Sequence, residues 1–471
     1  MPANFDILLK NGTVVDPVNR QTAVLDLAIA DGRVAEIAPE IDPGLARESF
    51  DVRDAYILPG IIDLHVHVSV PLARGQFGHR MMARAGVTTA LDMSGPVEEV
   101  LDIAQAYGAG LNIACVHQIR PGKTVGGTNP DKDELRTLLG QCLQHGAIGL
   151  KILGGHYPIT AEAAARAIEV ADDHQAYIAF HAGTENTKTN LDGALEAIHL
   201  AQGRPMHLAH VNSYCRGLIH PYMEETEQLL AAFQEHPNIC SESYLSPING
   251  TSGRCTSGVP DSLATRIWVA HGGFAPTEQG VQEAILAGWA KVNVVSGGQV
   301  VLAGAEEGLR WWRDRETDAT ISFTVNPPEP RLRLVTAKRK SGEFVVDAIS
   351  TDGGGIPRNV IVEMGMALVK LQALSLEEFV LKTSRNPAAI LGLTHKGHLG
   401  IGADADITVV DGQTHQARLG LANGEVIMFG GYVLGRGARI ITTPAGRRFV
   451  REKGLDPYVV EPDRTPFCRR P

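Results

Sequence analysis

Short alternations of apolar and polar residues, separated by turn residues, occupy both ends of the chain. Near the N-terminus the separators include Asn11-Gly12 and Asp31-Gly32, dipeptides typical of tight turns between strands. Segments of the same kind follow residue 396, and neither set is large enough to form a core alone. The pattern predicts one β-sandwich built from 1–58 and 397–450, followed by an extended tail over 451–471.

Between these ends, a repeated order of apolar segment, loop and amphipathic segment is typical of parallel βα units. Eight candidate strands can be counted, and eight parallel strands close a barrel. They are 61–67, 88–93, 112–116, 149–153, 177–181, 206–211, 238–242 and 345–351. The predicted fold class is therefore α/β: a distorted (β/α)8 TIM barrel over 59–396, beside the small discontinuous sandwich.

About a hundred residues separate the seventh and eighth candidate strands. They contain Trp268, Trp289, Trp311 and Trp312, and we predict that they form an insertion with its own helices. An alternative stays open, in which the segment 320–325 is the true seventh barrel strand.

Composition narrows the classes of partner. The 43 Lys and Arg against 53 Asp and Glu give a net charge of −10, which argues against binding to nucleic acid or an acidic membrane and favours a small-molecule substrate. No stretch approaches the ~18 consecutive apolar residues of a membrane span. The six cysteines lack metal-type spacing and the N-terminus lacks a signal-peptide pattern, so we predict a reduced, cytoplasmic protein.

Candidate metal-binding residues fall at the ends of the predicted strands. His65 and His67 end the first strand, and because side chains alternate along a strand they point to the same side. Later strands end in further residues of suitable type, and catalytic groups of such barrels collect at these ends. The later residues are Lys151, His181, His210 and Asp352. Their recurrence in matching positions predicts a binuclear metal site.

A set of motifs extends over nearly the whole chain. They are Leu-Pro-Gly-Ile-Ile-Asp-Leu-His-Val-His at 58–67, Gly-Leu-Lys-Ile at 149–152, Phe-His-Ala-Gly at 180–183, His-Leu-Ala-His-Val-Asn-Ser at 207–213, Val-Asn-Pro-Pro at 325–328, Ser-Thr-Asp-Gly at 350–353, Ser-Arg-Asn-Pro-Ala at 384–388 and Gly-Ala-Asp-Ala-Asp-Ile at 402–407. In this order they resemble the amidohydrolase superfamily, and within it the dihydroorotase, hydantoinase and isoaspartyl dipeptidase branch.

The resemblance implies two divalent metal ions per chain, bridged by N6-carboxylated Lys151. It implies that His65, His67 and Asp352 bind the more buried ion and that His181 and His210 bind the outer one. Zinc suits such ligands best, although iron, manganese, cobalt and nickel accept the same set. Asp352 would take a proton from the bridging water, the hydroxide would attack the carbonyl, and Asp352 would return the proton to the leaving nitrogen. Relatives are commonly dimers or tetramers, so a homo-oligomer is expected.

Substrate contacts are predicted for three further residues. Tyr157 follows Lys151 near the place where hydantoinase-like enzymes have a tyrosine for the oxyanion, and Asn326 resembles the dihydroorotase loop residue that holds the ring amide. Arg254 lies in a loop after the seventh strand and is a candidate carboxylate anchor, as are three other arginines that the sequence does not rank: Arg120, Arg331 and Arg358. On the sixth strand the motif selects His210 as ligand and leaves His207 as a packed or outer residue.

Departures from the dihydroorotase pattern argue against a pyrimidine-pathway role. Ser69 stands where that group has arginine, and Asp352 is followed by three glycines, as in isoaspartyl dipeptidase and N-acyl-amino-acid deacylases. The prediction is hydrolysis of an amide C–N bond in a cyclic amide (hydantoin or dihydropyrimidine-like) or in an N-acyl amino acid or isoaspartyl compound. Alternatives are a lactone or ester hydrolase, an aromatic-base deaminase with one metal and no bridging lysine, and a non-catalytic scaffold.

Overall fold

The N-terminal part of the β-rich domain consists of five strands in this computed structural model, which describes residues 4–69 and 75–470. They are β1 (Phe5–Asp16), β2 (Gln21–Ala30), β3 (Arg33–Ala38), β4 (Ala46–Asp51) and β5 (Ala55–Pro59). The long strand β1 has a register irregularity between Leu9 and Gly12; its first half pairs with β4 and its second half with β5. A strand with such a bend can belong to two faces of one curved sheet.

The barrel begins directly after β5, with Gly60 as the junction. A side chain at Gly60 would place its Cβ 2.2 Å from Thr88 Oγ1, so glycine is required by close packing. The first seven barrel strands are β6 (Ile61–His67), β7 (Val87–Asp92), β8 (Ala109–Gln118), β9 (Gly149–Leu153), β10 (Tyr177–His181), β11 (Met206–Leu208) and β12 (Ile239–Tyr244). All adjacent pairs are parallel.

Amphipathic helices alternate with these strands. They are α1 (Gly78–Arg84), α2 (Val97–Tyr107), α3 (Lys132–Gln144), α4 (Ala161–Asp173), α5 (Leu191–Leu200) and α6 (Tyr222–Glu235). Asp131, Thr160 and Asn190 cap α3, α4 and α5 by accepting hydrogen bonds from backbone N–H groups of the first turn. Their apolar faces pack on the outside of the barrel in one large core.

The insertion after β12 is a separate layer with its own core. Its elements are β13 (Ile248–Ser252), β14 (Cys255–Thr256), β15 (Val259–Pro260), α7 (Leu263–His271), α8 (Glu278–Leu286), β16 (Ala290–Ser296), β17 (Gln299–Ala303), α9 (Ala305–Asp314) and β18 (Thr320–Thr324). Four strands form an antiparallel sheet in the order β13-β18-β16-β17. The predicted insertion with helices is present, and the alternative that 320–325 is a barrel strand is wrong, because β18 pairs with β13 and β16.

The chain then returns to close the barrel. The elements are α10 (Pro328–Thr336), β19 (Ala348–Ser350), β20 (Gly353–Gly354), α11 (Ile361–Lys370), α12 (Leu376–Val380) and α13 (Asn386–Ile390). Strand β19 pairs parallel with β12, and β20 pairs parallel with β6. Asp63 strengthens this closure, since its carboxylate accepts hydrogen bonds from the backbone N–H (3.1 Å) and the hydroxyl (2.5 Å) of Thr351.

The C-terminal part completes the β-rich domain and then returns to the barrel. Its elements are β21 (Ile407–Asp411), β22 (Ala417–Ala422), β23 (Glu425–Phe429), β24 (Tyr432–Val433), β25 (Gly437–Thr442), α14 (Arg447–Glu452) and β26 (Asp456–Val459). Nine strands form one sheet in the order β24-β23-β22-β21-β5-β1-β2-β3, with β4 beside β1. A (β/α)8 barrel with a separate β-rich domain built from both ends confirms the predicted fold class.

Strand β25 differs from the sequence-based expectation. We predicted the whole stretch 397–450 in the sandwich, but β25 pairs parallel with the first half of β8 and so extends the barrel sheet. The tail beyond residue 460 packs on the end of the barrel where the strands begin: Phe467 and Cys468 are buried there. Within the described ranges, each helix is too short or too polar to cross a lipid bilayer.

Candidate metal centre

Three predicted ligands meet at the carboxyl end of the first and last barrel strands. His65 Nε2 and His67 Nε2 lie 3.2 Å apart, as expected for two residues on the same side of β6. Asp352, between β19 and β20, places Oδ1 3.1 Å from His67 Nε2 and 3.6 Å from His65 Nε2. The ligand atoms of these residues all lie within 4.8 Å of one another, which is close enough to share one cation.

Lys151 enters the same cluster from β9. Its Nζ lies 3.2 Å from His65 Nε2, and the residue is fully buried. Burial lowers the pKa of this amine to about 8, although the carboxylates of Asp352, Glu242 and Asp92 act in the opposite direction. An uncharged amine is the form that reacts with CO2, so the environment favours the chemistry that would turn a lysine into an anionic ligand.

The second pair of histidines adjoins the first. His181 Nδ1 and His210 Nε2 lie 2.9 Å apart, and the His210 ring stacks on the His65 ring with centroids 4.9 Å apart. The structure therefore brings together all six predicted metal-site residues at one end of the barrel.

The position of His210 depends on a break in the sixth strand. We predicted a strand over 206–211, but β11 ends at Leu208, and His210 adopts a left-handed conformation (φ 33°) before a 3-10 turn at Val211–Tyr214. Asp352 is also left-handed (φ 51°). Such backbone strain in non-glycine residues is often found at functional sites. His207 instead lies inside the barrel, where its Nδ1 is 2.6 Å from the Tyr177 hydroxyl.

The imidazoles are held in the uncharged form that binds metals. Burial lowers the pKa of His65 and His181 well below the usual value, lowers that of His67, and lowers that of His210 to about 3. Uncharged imidazole nitrogen and carboxylate oxygen suit zinc and similar divalent ions. The donor set is therefore chemically fit for a metal centre.

Arg358 controls the charge of Asp352. Its Nη2 lies 2.6 Å from Asp352 Oδ2, while the other carboxylate oxygen faces the histidines. Burial alone would raise the pKa of Asp352, but the Arg358 guanidinium and the neighbouring histidines hold it well below its usual range. Asp352 is thus a carboxylate with one oxygen fixed and one directed at the cluster.

Glu242 is a site residue that the sequence analysis missed. From the end of β12 it places Oε1 2.8 Å from His65 Nδ1 and accepts a 2.6 Å hydrogen bond from the backbone N–H of His210. Ser350 also donates to its carboxylate. Burial raises the pKa of Glu242 to about 8. A charged residue within a buried strand was the available signal, and its contacts orient one histidine of each pair.

The predicted substrate contacts occupy different places. Tyr157 is exposed beyond β9, with the Arg120 guanidinium 5.1 Å from its ring centre. Asn326 is buried, and its amide donates to the carbonyls of Ser246 and Ile248. Arg254 lies in the insertion, where its side chain is 61 % exposed and 3.5 Å from Asp261. Of the three, Asn326 is linked to the cluster, since the Tyr244 hydroxyl donates to its Oδ1 at 3.4 Å and the Tyr244 ring lies 6.5 Å from the His210 ring.

Comparisons with known proteins identify relatives of this chain. The Amidohydrolase family model matches residues 56–247 and 332–435, on either side of the insertion. An allantoinase from Escherichia coli O1:K1 is 34 % identical over 95 residues, a match that covers 19 % of this chain and only 20 % of that protein. A dihydroorotase from Pelotomaculum thermopropionicum is 25 % identical over 435 residues, covering 86 % of this chain and 88 % of the relative.

A solved structure extends the comparison to the whole fold. The zinc-bound N-acyl-D-glutamate deacylase from Bordetella bronchiseptica superimposes with a TM-score of 0.66 at 16 % identity, covering 93 % of this chain and 99 % of that one. Such low identity shows a common fold, and the family match covers more than half of this chain. The chain therefore belongs to the amidohydrolase family, as the motifs predicted.

Proposed function

We propose that this protein is a binuclear metal-dependent hydrolase that cleaves an amide C–N bond. The observation that carries the proposal is the convergence of four uncharged imidazoles and Asp352 on Lys151, a buried lysine whose Nζ lies 3.2 Å from His65 Nε2. His65, His67 and Asp352 would hold one ion, and His181 and His210 the other. Carboxylated Lys151 would supply an oxygen to each, and zinc is the first candidate.

Asp352 is the proton carrier in this proposal. When bound, two divalent ions lower the pKa of a water molecule toward neutrality and polarise a substrate carbonyl. Asp352 Oδ1 faces the cluster and can accept the proton, while Arg358 holds Oδ2 and prevents the carboxylate from rotating. The same oxygen can then return the proton to the departing nitrogen.

The proposed substrates are a cyclic amide or an N-acyl amino acid. Support comes from relatives and neighbours named dihydroorotase, allantoinase and N-acyl-D-glutamate deacylase. The position of Lys151 argues against a deaminase with one metal. We further propose a homo-oligomer in a reducing compartment; all six cysteines are free.

Metal analysis of protein purified with bicarbonate tests the proposal. We expect about two divalent ions per chain in the parent and a marked loss in Lys151→Met, together with loss of hydrolysis of a panel of hydantoins, dihydropyrimidines, N-acyl amino acids and isoaspartyl dipeptides. Lys382→Met is the matched control, because Lys382 is equally buried but donates to Val346 O at the opposite end of the barrel. One ion or none in the parent, unchanged by Lys151→Met, would contradict the binuclear site.

A further inference from the structure

A cavity of about 580 Å³ lies where the barrel meets the insertion. Its walls include Arg216 and His220 from the segment after β11, His271 and Trp289 from the insertion, and Asn326 from the segment after β18. No carboxylate lines it among the described residues. The wall is therefore cationic or neutral, with an aromatic face.

Arg216 is a buried cation without a counter-charge in this wall. It is only 9 % exposed. Its Nε donates to Asn326 Oδ1 (2.8 Å), and its Nη2 donates to the Tyr244 hydroxyl (2.9 Å), with longer bonds to Ser213 and Asn249. All these acceptors are neutral oxygens. In the described part of the chain, Nη1 has no acceptor and Arg216 has no acidic partner within 4.0 Å.

Two other arginines of the described chain are buried, Arg358 and Arg331. Arg358 pairs with Asp352, whereas Arg331 does not line the cavity and donates to the backbone carbonyls of Pro327 and Leu245. A buried guanidinium is stabilised by an anion, and the free Nη1 of Arg216 can donate a charge-assisted hydrogen bond to a carboxylate. Arg216 is also held in place by stacking at 5.1 Å on the Trp268 ring. At the wall of a cavity, a pre-positioned cation whose Nη1 is uncommitted is suited to receive an anion that is not part of this chain.

A single side chain, that of Tyr244, lies between Arg216 in the cavity wall and the metal centre. The Tyr244 hydroxyl contacts Arg216, and the Tyr244 ring lies 6.5 Å from the His210 ring, centroid to centroid. The Arg358 guanidinium lies over the same Tyr244 ring at 5.1 Å. Tyr244 therefore separates Arg358, which Asp352 neutralises, from Arg216, which has no acidic partner among the described residues.

We propose that the Arg216 cavity binds a carboxylate carried by the substrate, at the end remote from the amide that is cleaved. The substrate class is then an acidic amide whose body passes Tyr244 and contacts Trp289. This inference rests on the proposed function for its link to hydrolysis, but the anion site itself can be tested without turnover.

Benzoate and benzamide are suitable probes, because they have nearly the same shape and differ in charge. Isothermal titration of the parent should show benzoate binding at least about tenfold more tightly, as expected for charge-assisted hydrogen bonds. Arg216→Gln should abolish this preference and Arg216→Lys should keep part of it. The control is Arg315→Gln, since Arg315 also stacks on a tryptophan of the insertion, at 5.3 Å from Trp311, and should leave the preference unchanged.

The same titration on Lys151→Met separates the two proposals. If metal analysis contradicts the binuclear centre but the preference for benzoate persists and depends on Arg216, the anion site is supported independently of the proposed function. Equal binding of the two probes by the parent would overturn the anion site, and this outcome does not depend on any variant. A preference for benzoate that is retained in Arg216→Gln would also overturn it. For the substrate link, kcat/KM for N-acetylglutamate over N-acetylglutamine should fall about tenfold in Arg216→Gln, mainly through KM; an unchanged ratio would refute the link.

Discussion

At the residue scale, burial and neighbouring charges together set the protonation of the cluster. Lost hydration keeps the four histidines uncharged and lowers the pKa of Lys151 to about 8, whereas Asp352 keeps its charge because Arg358 compensates for burial. Burial therefore favours the neutral form of the nitrogen ligands, and the Arg358 guanidinium keeps one carboxylate anionic.

The lowered pKa of Lys151 predicts how metal loading depends on pH. Below its pKa of about 8 the amine gains a proton, and the protonated form cannot react with CO2. At constant dissolved CO2, the rate of zinc uptake by metal-free protein should fall about tenfold per pH unit between about pH 7.5 and 6 and level off above pH 8. The histidines remain uncharged across most of this range, because burial lowers their pKa values. Zinc uptake is measured by elemental analysis. A rate of uptake that does not change with pH would contradict a role for the amine.

Arg358→Gln should shift the acid limb of the pH profile to higher pH. Without the guanidinium the pKa of Asp352 rises by about 1–3 units. The carboxylate is the proton-accepting form, so acidification removes activity at a higher pH than in the parent. The measurement is kcat/KM against pH. Arg470→Gln, which breaks a buried pair with Asp347 at the other end of the barrel, should leave the limb in place.

The six candidate ligands could be identified from sequence because each lies in or next to a predicted strand, within a short local motif. His65 and His67 need only the alternation of side chains along β6. Glu242 was missed because its role depends on contacts with His65, 177 residues away, and with the backbone of His210. Arg216 was missed for the same reason: its partners Tyr244, Asn249 and Asn326 come from later segments.

At the scale of elements, the barrel strands were predictable and the pairing of extra strands was not. An apolar run such as β18 has the same composition whether it lies in a barrel or in a separate sheet, and only its neighbours decide. Strand β25 likewise pairs with β8 through contacts more than 300 residues apart in sequence. Local pattern identifies a strand, while long-range packing assigns it to a sheet.

The insertion should lose stability independently of the barrel. Trp312 is fully buried in its separate core, and its indole N–H donates to Gly253 O at 2.9 Å. Trp312→Ala should cost about 3–5 kcal/mol locally, so hydrogen exchange should accelerate in β16–β18 but not in β6–β10. Trp311→Ala, at a half-buried neighbour, is the control. Equal acceleration throughout the barrel would show instead that the two units unfold together.

At the scale of the whole molecule, the two ends of the barrel have different tasks. The candidate metal-site residues lie where the strands end, and the tail covers where they begin: the Phe467 ring lies 5.8 Å from the Tyr177 ring, and Arg470 donates to Ile239 O and Val345 O. The contribution of the tail to stability can therefore be tested separately from metal binding.

Phe467→Ala should destabilise the fold without emptying the metal centre. Loss of a buried phenylalanine costs about 3–5 kcal/mol, which thermal unfolding measures, and metal content should stay at the parent value. Tyr432→Ala, at a side chain that is 77 % exposed, should change stability by less than about 0.5 kcal/mol. Loss of metal in Phe467→Ala at temperatures where it remains folded would mean that the two barrel ends are coupled.

The junction at Gly60 imposes an order on biosynthesis. Strand β5 runs straight into β6, and the pair is fixed by β21: Pro59 pairs with Ile407, and the N–H of Ile61 donates to Thr408 Oγ1, 347 residues further along the chain. At a translation rate of roughly 5–20 residues per second, the anchoring residues emerge about 20–70 s after the strand that they hold. His65 and His67 are therefore synthesised well before the residues that fix their strand, and the apolar strand β6 lacks its native hydrogen bond to β21 throughout that interval.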